Sequence, residues 1–266
     1  MNILKKSLAP ITDEAWGEIQ EQAQEIFDIY LTGRKIVDID GPHGLEMGAV
    51  STGRLLMHDN PSKEGINYGT REVLPLIEIR KPFKVNLMEL DNINRGAKDA
   101  DLEDLENAAR EIALFEEKLI YKGFNDQIKG LEASAEAKPV ELDDEPDKML
   151  RTLGDQVNEM QKMGVGGPYT LIVNNRKWKA LSTLSKGYPL IKQIKQIIDG
   201  QIIVNFSADN SMLLTQREGD YELTIGQDMS IGFDYHDSRE AKLYFTESLA
   251  FRVLSPEAVR VLPDKK

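Results

Sequence analysis

The 266-residue sequence contains no cysteine, which excludes disulfide staples, thiolate zinc sites and cysteine nucleophiles together. Histidine is nearly as scarce. His43, His58 and His236 are the only three, each stands beside turn residues, and no two have the i, i+4 spacing of a helical metal site. Long apolar runs are also missing: no stretch reaches the roughly 20 residues of a spanning helix, and Met1 to Trp16 lacks the apolar segment of a secretory leader. Both absences predict a cytoplasmic protein with no membrane partner. Positive charge is in deficit, with 33 Lys+Arg against 45 Asp+Glu and a net charge of −12. Binding to a phosphate backbone needs clustered cations, so a nucleic-acid partner is not expected.

Catalytic signatures are lacking as well. There is no Gly-x-Ser-x-Gly elbow. Gly164-Val165-Gly166-Gly167-Pro168 resembles part of a phosphate loop but leads into a strand, whereas a phosphate cradle leads into a helix amino terminus. The paired acids Asp143 and Asp144 lie in a polar stretch and are expected to be solvated. No catalytic residue, metal site or cofactor is predicted.

What is present describes a folding chain, with 41% hydrophobic and 29% charged residues. Thr12-Asp13-Glu14 caps a helix whose apolar residues Trp16, Ile19, Ala23, Ile26, Phe27 and Tyr30 recur every three or four positions, with Gly33 as its stop. Arg34 to Asp38 reads as a strand. Residues 46–72 read as a long two-stranded arm with few apolar residues, which needs a surface to lie on because an isolated hairpin is marginal in water. Strands are predicted at Val73–Arg80 and Phe83–Met88, and a long helix capped by Asp101 runs to Gly123 with its stripe at Leu102, Leu105, Ala109, Ile112, Phe115, Leu119 and Ile120. An acidic, proline-punctuated stretch at 132–147 marks a boundary between lobes. Beyond it come a helix at Met149–Met163, a buried strand at Tyr169–Asn174, helical segments at Arg176–Leu184 and Leu190–Ile198, and a last long strand. Trp178 is expected in the core. On the last strand, Glu247 interrupts the apolar face of Leu243, Phe245, Leu249, Phe251 and Val253, and a buried carboxylate there calls for a cation, for which Arg34 and Arg80 are candidates.

Several blocks in order along nearly the whole chain carry a resemblance. They include Leu-Lys-Lys-Ser-Leu-Ala-Pro-Ile-Thr at 4–12, Gly-Arg-Lys-Ile-Val-Asp at 33–38, Leu-Pro-Leu-Ile-Glu-Ile-Arg at 74–80 and Glu-Leu-Asp-Asn-Ile-Asn-Arg-Gly at 89–96. Gly-Pro-Tyr-Thr-Leu at 167–171, Gly-Gln-Asp-Met-Ser-Ile-Gly at 226–232 and Phe-Thr-Glu-Ser-Leu-Ala-Phe at 245–251 complete them. In these the sequence resembles the shell proteins of type 1 encapsulin nanocompartments, the linocin or bacteriocin-like family.

The resemblance implies an α+β chain with the HK97 phage-capsid-like fold. The expected parts are an amino-terminal helix and the start of a peripheral domain at 1–45, an extended loop at 46–72, a peripheral domain with a long spine helix at 73–134, an axial domain at 135–225, and a return to the peripheral domain at 226–266. It also implies self-assembly into a closed icosahedral shell of about 60 copies, in which arm residues such as Leu55, Leu56 and Met57 are covered by a neighbour. The implied partner is a cargo protein, a ferritin-like protein or a dye-decolourising peroxidase, whose carboxy-terminal tail enters a groove on the inner wall. Iron storage and oxidative-stress defence are the settings this implies. Phe27, Tyr30, Ile36, Met229 and Ile231 are the apolar candidates for that groove, with Arg34 and Asp38 as polar anchors, and Ser185, Lys186, Gly187, Tyr188 and Pro189 align with the family's pore loop. Met88 stands where some relatives carry an aromatic residue, so ligand stacking is not carried over to it.

A phage or prophage major capsid protein shares the fold, but genome packaging favours a basic inner face, and the acidic balance and the capped helix at 12–31 favour the compartment. A soluble hydrolase such as a peptidase is the third reading. It would need a nucleophile with an adjacent base, which the sequence does not present.

Overall fold

A computed structural model describes residues 3–58, 65–182, 184–185 and 187–265. The first helix, α1 (Asp13–Tyr30), is capped as its sequence predicts: the Thr12 hydroxyl accepts from the Ala15 amide at 3.3 Å. Its stripe Ala15, Ile19, Ala23 and Phe27 is buried. The helix ends at Tyr30, before Gly33, and Gly33–Lys35 is a single 3-10 turn. The strand expected at 34–38 therefore begins later, as β1 (Asp38–Asp40), because the side chains and amides of the turn are claimed by acids of another helix, described below.

The arm is a ribbon of β2 (Ala49–Met57) and β3 (Gly69–Pro75), paired antiparallel. Next, β4 (Ile77–Asn86) runs unbroken through Pro82. The predicted strand at 83–88 stops at Asn86, whose side chain accepts from the Met88 amide at 2.8 Å and starts α2 (Leu87–Asn94). The long helix α3 (Glu103–Lys122) begins where Asp101 accepts from the Glu103 amide at 3.1 Å. It ends at Gly123, whose φ of 90° and close approach to the Ile128 carbonyl admit no side chain. A short hairpin, β5 (Gly123–Phe124) and β6 (Ile128–Lys129), and α4 (Leu131–Ser134) follow.

The remaining elements are α5 (Pro146–Lys162), β7 (Tyr169–Val173), α6 (Asn175–Leu181), β8 (Leu184–Ser185), β9 (Tyr188–Pro189), α7 (Leu190–Ile198), β10 (Ile202–Val204), β11 (Ser211–Thr215), β12 (Tyr221–Ile225), β13 (Ser230–His236), β14 (Glu240–Val253) and β15 (Val259–Leu262). Apart from the β8–β9 pair, their strands join β1 and β4 in the two main sheets. In the larger, β14 pairs antiparallel with β4, β12 and β13, and β1 joins β12 in parallel. Both faces of β14 are buried, so Thr246 and Ser248 are as enclosed as Phe245 and Leu249. The Phe245 ring meets Phe83 of β4 at 4.7 Å and Phe27 of α1 at 5.4 Å, which fastens α1 to the sheet.

The smaller sheet has the order β10-β7-β11-β15. Two strands cross the expected domain limits: β12, inside 135–225, belongs to the larger sheet, and β15, inside 226–266, belongs to the smaller one. Hydrophobic pattern does not reveal such crossings, because a buried strand looks the same in either sheet.

Asp143 and Asp144 are not simply solvated. The Glu145 amide and Lys265 hold the Asp143 carboxyl down to about 2. Asp144 accepts from Lys177 at 2.5 Å, and the same ammonium, fully buried, reaches the Leu142 carbonyl at 2.8 Å and Asp264 at 3.2 Å. Its neighbour Trp178, expected in the core, is only partly buried against it. Tertiary pairing with the carboxy-terminal segment draws Lys177 into the interior and leaves Trp178 at its margin.

Candidate functional site

Gln20, Ala23, Gln24 and Phe27 of α1, with Leu31 just past its end, lean over the end of the larger sheet and leave a groove of about 310 Å³. Its floor and far wall are Phe245 of β14 and Asp228, Met229, Ser230 and Ile231 at the start of β13. Lys6 closes one end, from an amino-terminal segment that is tied to β13 where the Phe233 amide donates to the Leu4 carbonyl at 2.8 Å.

Arg34 sits at the base of this groove among three acids. It donates to both oxygens of Glu116 at 2.8 and 2.9 Å, to Glu247 at 2.6 Å and to Asp228 at 3.1 Å. Of the two cations the sequence offered for Glu247, Arg34 is the partner, and Arg80 lies instead over the Tyr244 ring at 4.2 Å. Burial opposes charge on Arg34, but its bonds to Glu116 and the fields of Glu247 and Asp228 outweigh that and raise its pKa. Glu247 is pushed well above the ordinary carboxyl range, first by burial and then by the neighbouring Glu116. One guanidinium thus faces two fully buried carboxyls, and the fit between them leaves Glu247 Oε2 without a hydrogen-bond partner among the described residues.

Directly behind Arg34, Glu117 accepts from the Thr32 hydroxyl at 2.5 Å, from the Gly33 amide at 2.7 Å, and from Asn205 in the loop after β10. Burial pushes its carboxyl up to about 7 against these three bonds. Asn205 is fixed in turn, its carbonyl accepting from the amides of Ser207 at 2.7 Å and Ala208 at 2.6 Å.

The groove therefore brings together four of the seven candidates: Phe27, Arg34, Met229 and Ile231. Three stand elsewhere. Tyr30 packs on the Phe206 ring at 5.5 Å, Ile36 is buried in the core, and Asp38 starts β1, where it accepts from the Gly219 amide at 2.6 Å. Lys6, Gln20, Gln24, Asp228 and Phe245 were not singled out by sequence. The spacing of Gln20, Gln24, Phe27 and Leu31 does follow one helix face, a signal hidden because half of it is polar.

Leu55, Leu56 and Met57 are 56%, 54% and 58% exposed. Successive residues of a strand point to opposite faces, so both faces of the ribbon are uncovered in one chain. Of the pore-loop candidates, Lys186 lies outside the described residues. Ser185 pairs with Tyr188 across a tight turn, in which Gly187 has a φ of 80° and Tyr188 is exposed. Among the described residues no cluster of three or more acids and histidines could hold a metal ion, and no helix is long and apolar enough to cross a membrane.

A family profile described as "Encapsulating protein for peroxidase" matches residues 1–250. The type 1 encapsulin shell protein of Rhodococcus erythropolis is 36% identical over 261 residues, covering 97% of this chain and 98% of the relative. In structure, the chain resembles the virus-like particle of Pyrococcus furiosus, with a TM-score of 0.65 at 17% identity over 92% of this chain and 98% of that one. It also resembles the capsid of the myovirus phage XM1, with a TM-score of 0.54 at 11% identity over 100% and 99% of the two chains. The fold is that of HK97-like capsids.

Proposed function

The chain belongs to the family of encapsulating shell proteins, and from that membership we propose that it is a structural subunit that assembles into a closed icosahedral shell around a guest protein. The observation that carries the reading is the ribbon β2–β3, whose apolar residues Leu55, Leu56 and Met57 are uncovered on both faces within one chain. A neighbouring copy supplies the missing surface, and identical copies in closed symmetry supply it to every arm. The subunit acts as wall and scaffold, not as an enzyme. Likeness to phage capsids is a matter of fold; the 36% identical relative, matched almost end to end, is a compartment protein.

The groove beneath α1 is the recruiting site in this reading. It binds the carboxy-terminal tail of the guest with Phe27, Met229 and Ile231 as its apolar lining and Arg34 at its base. Many copies of a weak site facing one lumen concentrate the guest by effective concentration. The family description points to a peroxidase as guest, and a ferritin-like iron protein is the alternative. A relative in Kuenenia stuttgartiensis, 20% identical, is a diheme-cytochrome–encapsulin shell fusion, in which a redox protein is joined covalently to the wall. We assign the turn at 185–189 to a pore and the shell to about 60 copies.

Negative-stain electron microscopy of the purified protein tests the assembly. Hollow particles of uniform diameter are expected. A folded monomer at working concentration, with no particles, overturns the reading.

A further inference from the structure

An antiparallel ladder uses the backbone groups of alternate residues, so the direction of one bond fixes the direction of all. Two observations fix it for β13. The Phe233 amide bonds outward to Leu4 and not inward to β14. Independently, Pro82 of β4 stands opposite Tyr244 of β14. Proline has no N–H, so Tyr244 is unbonded toward β4 and directs its backbone groups to Gly232 on the other side. Both place Gly232 inward, and Phe233 and Ile231 outward. Phe233 has its partner in Leu4. Among the described residues, no group bonds to the outward N–H or C=O of Ile231, although the Lys6–Leu8 turn packs against β13 without bonding to it there.

Ile231 is only 5% exposed, so water reaches these groups poorly, and an unpaired buried backbone pair is a costly arrangement that a native chain rarely keeps without a partner. The same residue lines the groove. Leu4 shows that the edge accepts an added chain, because the amino-terminal segment of this protein already extends the sheet there by one bond.

Resting on the assignment of the groove to a guest tail, we propose that the tail docks as an added β-strand on the unbonded stretch of the β13 edge at Ile231, displacing the Lys6–Leu8 turn that packs beside it and bonding through its backbone to the N–H and C=O of Ile231 in line with Leu4. Side chains at alternate positions of such a strand turn into the groove, because Ile231 and Phe245 are opposed on the sheet and the Phe245 ring packs against Phe27 of α1. The occupant is thus an extended segment with apolar residues at every second position. Its chain end fits as well. Lys6 lines the groove with its ammonium 5.3 Å from the Trp16 ring, and among the described residues no carboxylate pairs with it. It is the cation left for the terminal carboxylate of the tail.

The probe is a synthetic peptide copying the carboxy-terminal segment of the protein sealed in natively purified shells, identified by mass spectrometry. Amide hydrogen exchange at residue resolution on intact shells, with and without saturating peptide, is expected to show slowed exchange at Ile231. Ile231→Pro removes the outward donor without touching the β14 ladder, as proline on an edge strand does, and is expected to weaken peptide binding about tenfold, the worth of roughly one backbone bond. Met229→Asp supplies the comparison. If the peptide binds, Met229→Asp abolishes binding and exchange at Ile231 is unchanged, strand addition is overturned and the groove stands. If neither substitution alters binding, the groove assignment itself falls. Should Ile231→Pro fail to form shells, the exchange measurement on the unaltered protein decides alone.

Discussion

Glu116 and Glu117, adjacent on α3, hold opposite sides of one turn. Glu116 takes two of the four guanidinium bonds of Arg34, while Glu117 takes the Gly33 amide and the Thr32 hydroxyl. Both side chains are buried. The pair explains why 33–35 is a turn: two acids of one helix claim its donors, and an extended strand could not present all of them at once.

Removing Arg34 leaves Glu116 and Glu247 buried without their cation. Breaking such a pair costs about 3–5 kcal/mol. Arg34→Met is therefore expected to lower the melting temperature by several degrees near pH 8 in calorimetry. The deficit should narrow at pH 5, where Glu247, already pushed up by burial and no longer opposed by a guanidinium, takes up a proton readily. A deficit that is the same at both pH values would show that the cost is packing and not charge.

Glu117 gives a pH dependence of its own. Its folded value of about 7 lies above the ordinary 4.5, so between these limits the folded chain holds a proton that the unfolded chain has lost. Stability from this group is fully present below about pH 4.5 and is lost as pH rises through 7. The raised value of Glu247 acts in the same direction. Glu117→Gln should flatten the slope of melting temperature against pH in this window. Its baseline should also drop, because the Gln amide nitrogen would meet the Asn205 amide nitrogen, which cannot turn away while the Asn205 carbonyl holds Ser207 and Ala208. An unchanged slope would exclude Glu117 as the titrating group.

Ile36 and Met229 separate folding from recruitment. Ile36, 9% exposed, is part of the core and does not line the groove. Ile36→Asp should therefore reduce soluble yield and melting temperature, as an unpaired charge buried in a core does, instead of sparing assembly. Met229 is partly buried on the groove wall. Met229→Asp should leave shells intact and reduce the guest that co-purifies with them by about tenfold or more. Full guest retention by that variant would remove Met229 from the site.

Local patterns carried much of the fold. The Thr12 cap, the stripe of α3, the buried run of β7 and the unsupported arm are all properties of short windows, whereas Asp101 stands one residue before the Leu102 cap of α3. What the windows missed is tertiary. The exchange of β12 and β15 between sheets, the burial of Lys177 against Asp144 and Asp264, and the closing of a groove between α1 and the start of β13 depend on residues far apart in sequence. Glu247 lies between these cases: its interruption of an apolar face announced a buried charge, and only the fold chose Arg34 over Arg80.

The arm offers the sharpest separation of subunit from shell. Leu55 and Leu56 are more than half exposed in the single chain, so replacing both with lysine removes little intramolecular packing and should change subunit stability by no more than about 0.5 kcal/mol per site. If a neighbour covers these positions in the shell, as proposed, each lysine would have to be desolvated against it in every copy at once. Leu55→Lys with Leu56→Lys is therefore expected to yield folded subunits by circular dichroism that elute at monomer or small-oligomer size and form no particles in negative stain. Deleting residues 46–72 should do the same. Intact shells from either variant would mean that the arm does not close the container, and that the contacts between its two sheets and their neighbours suffice.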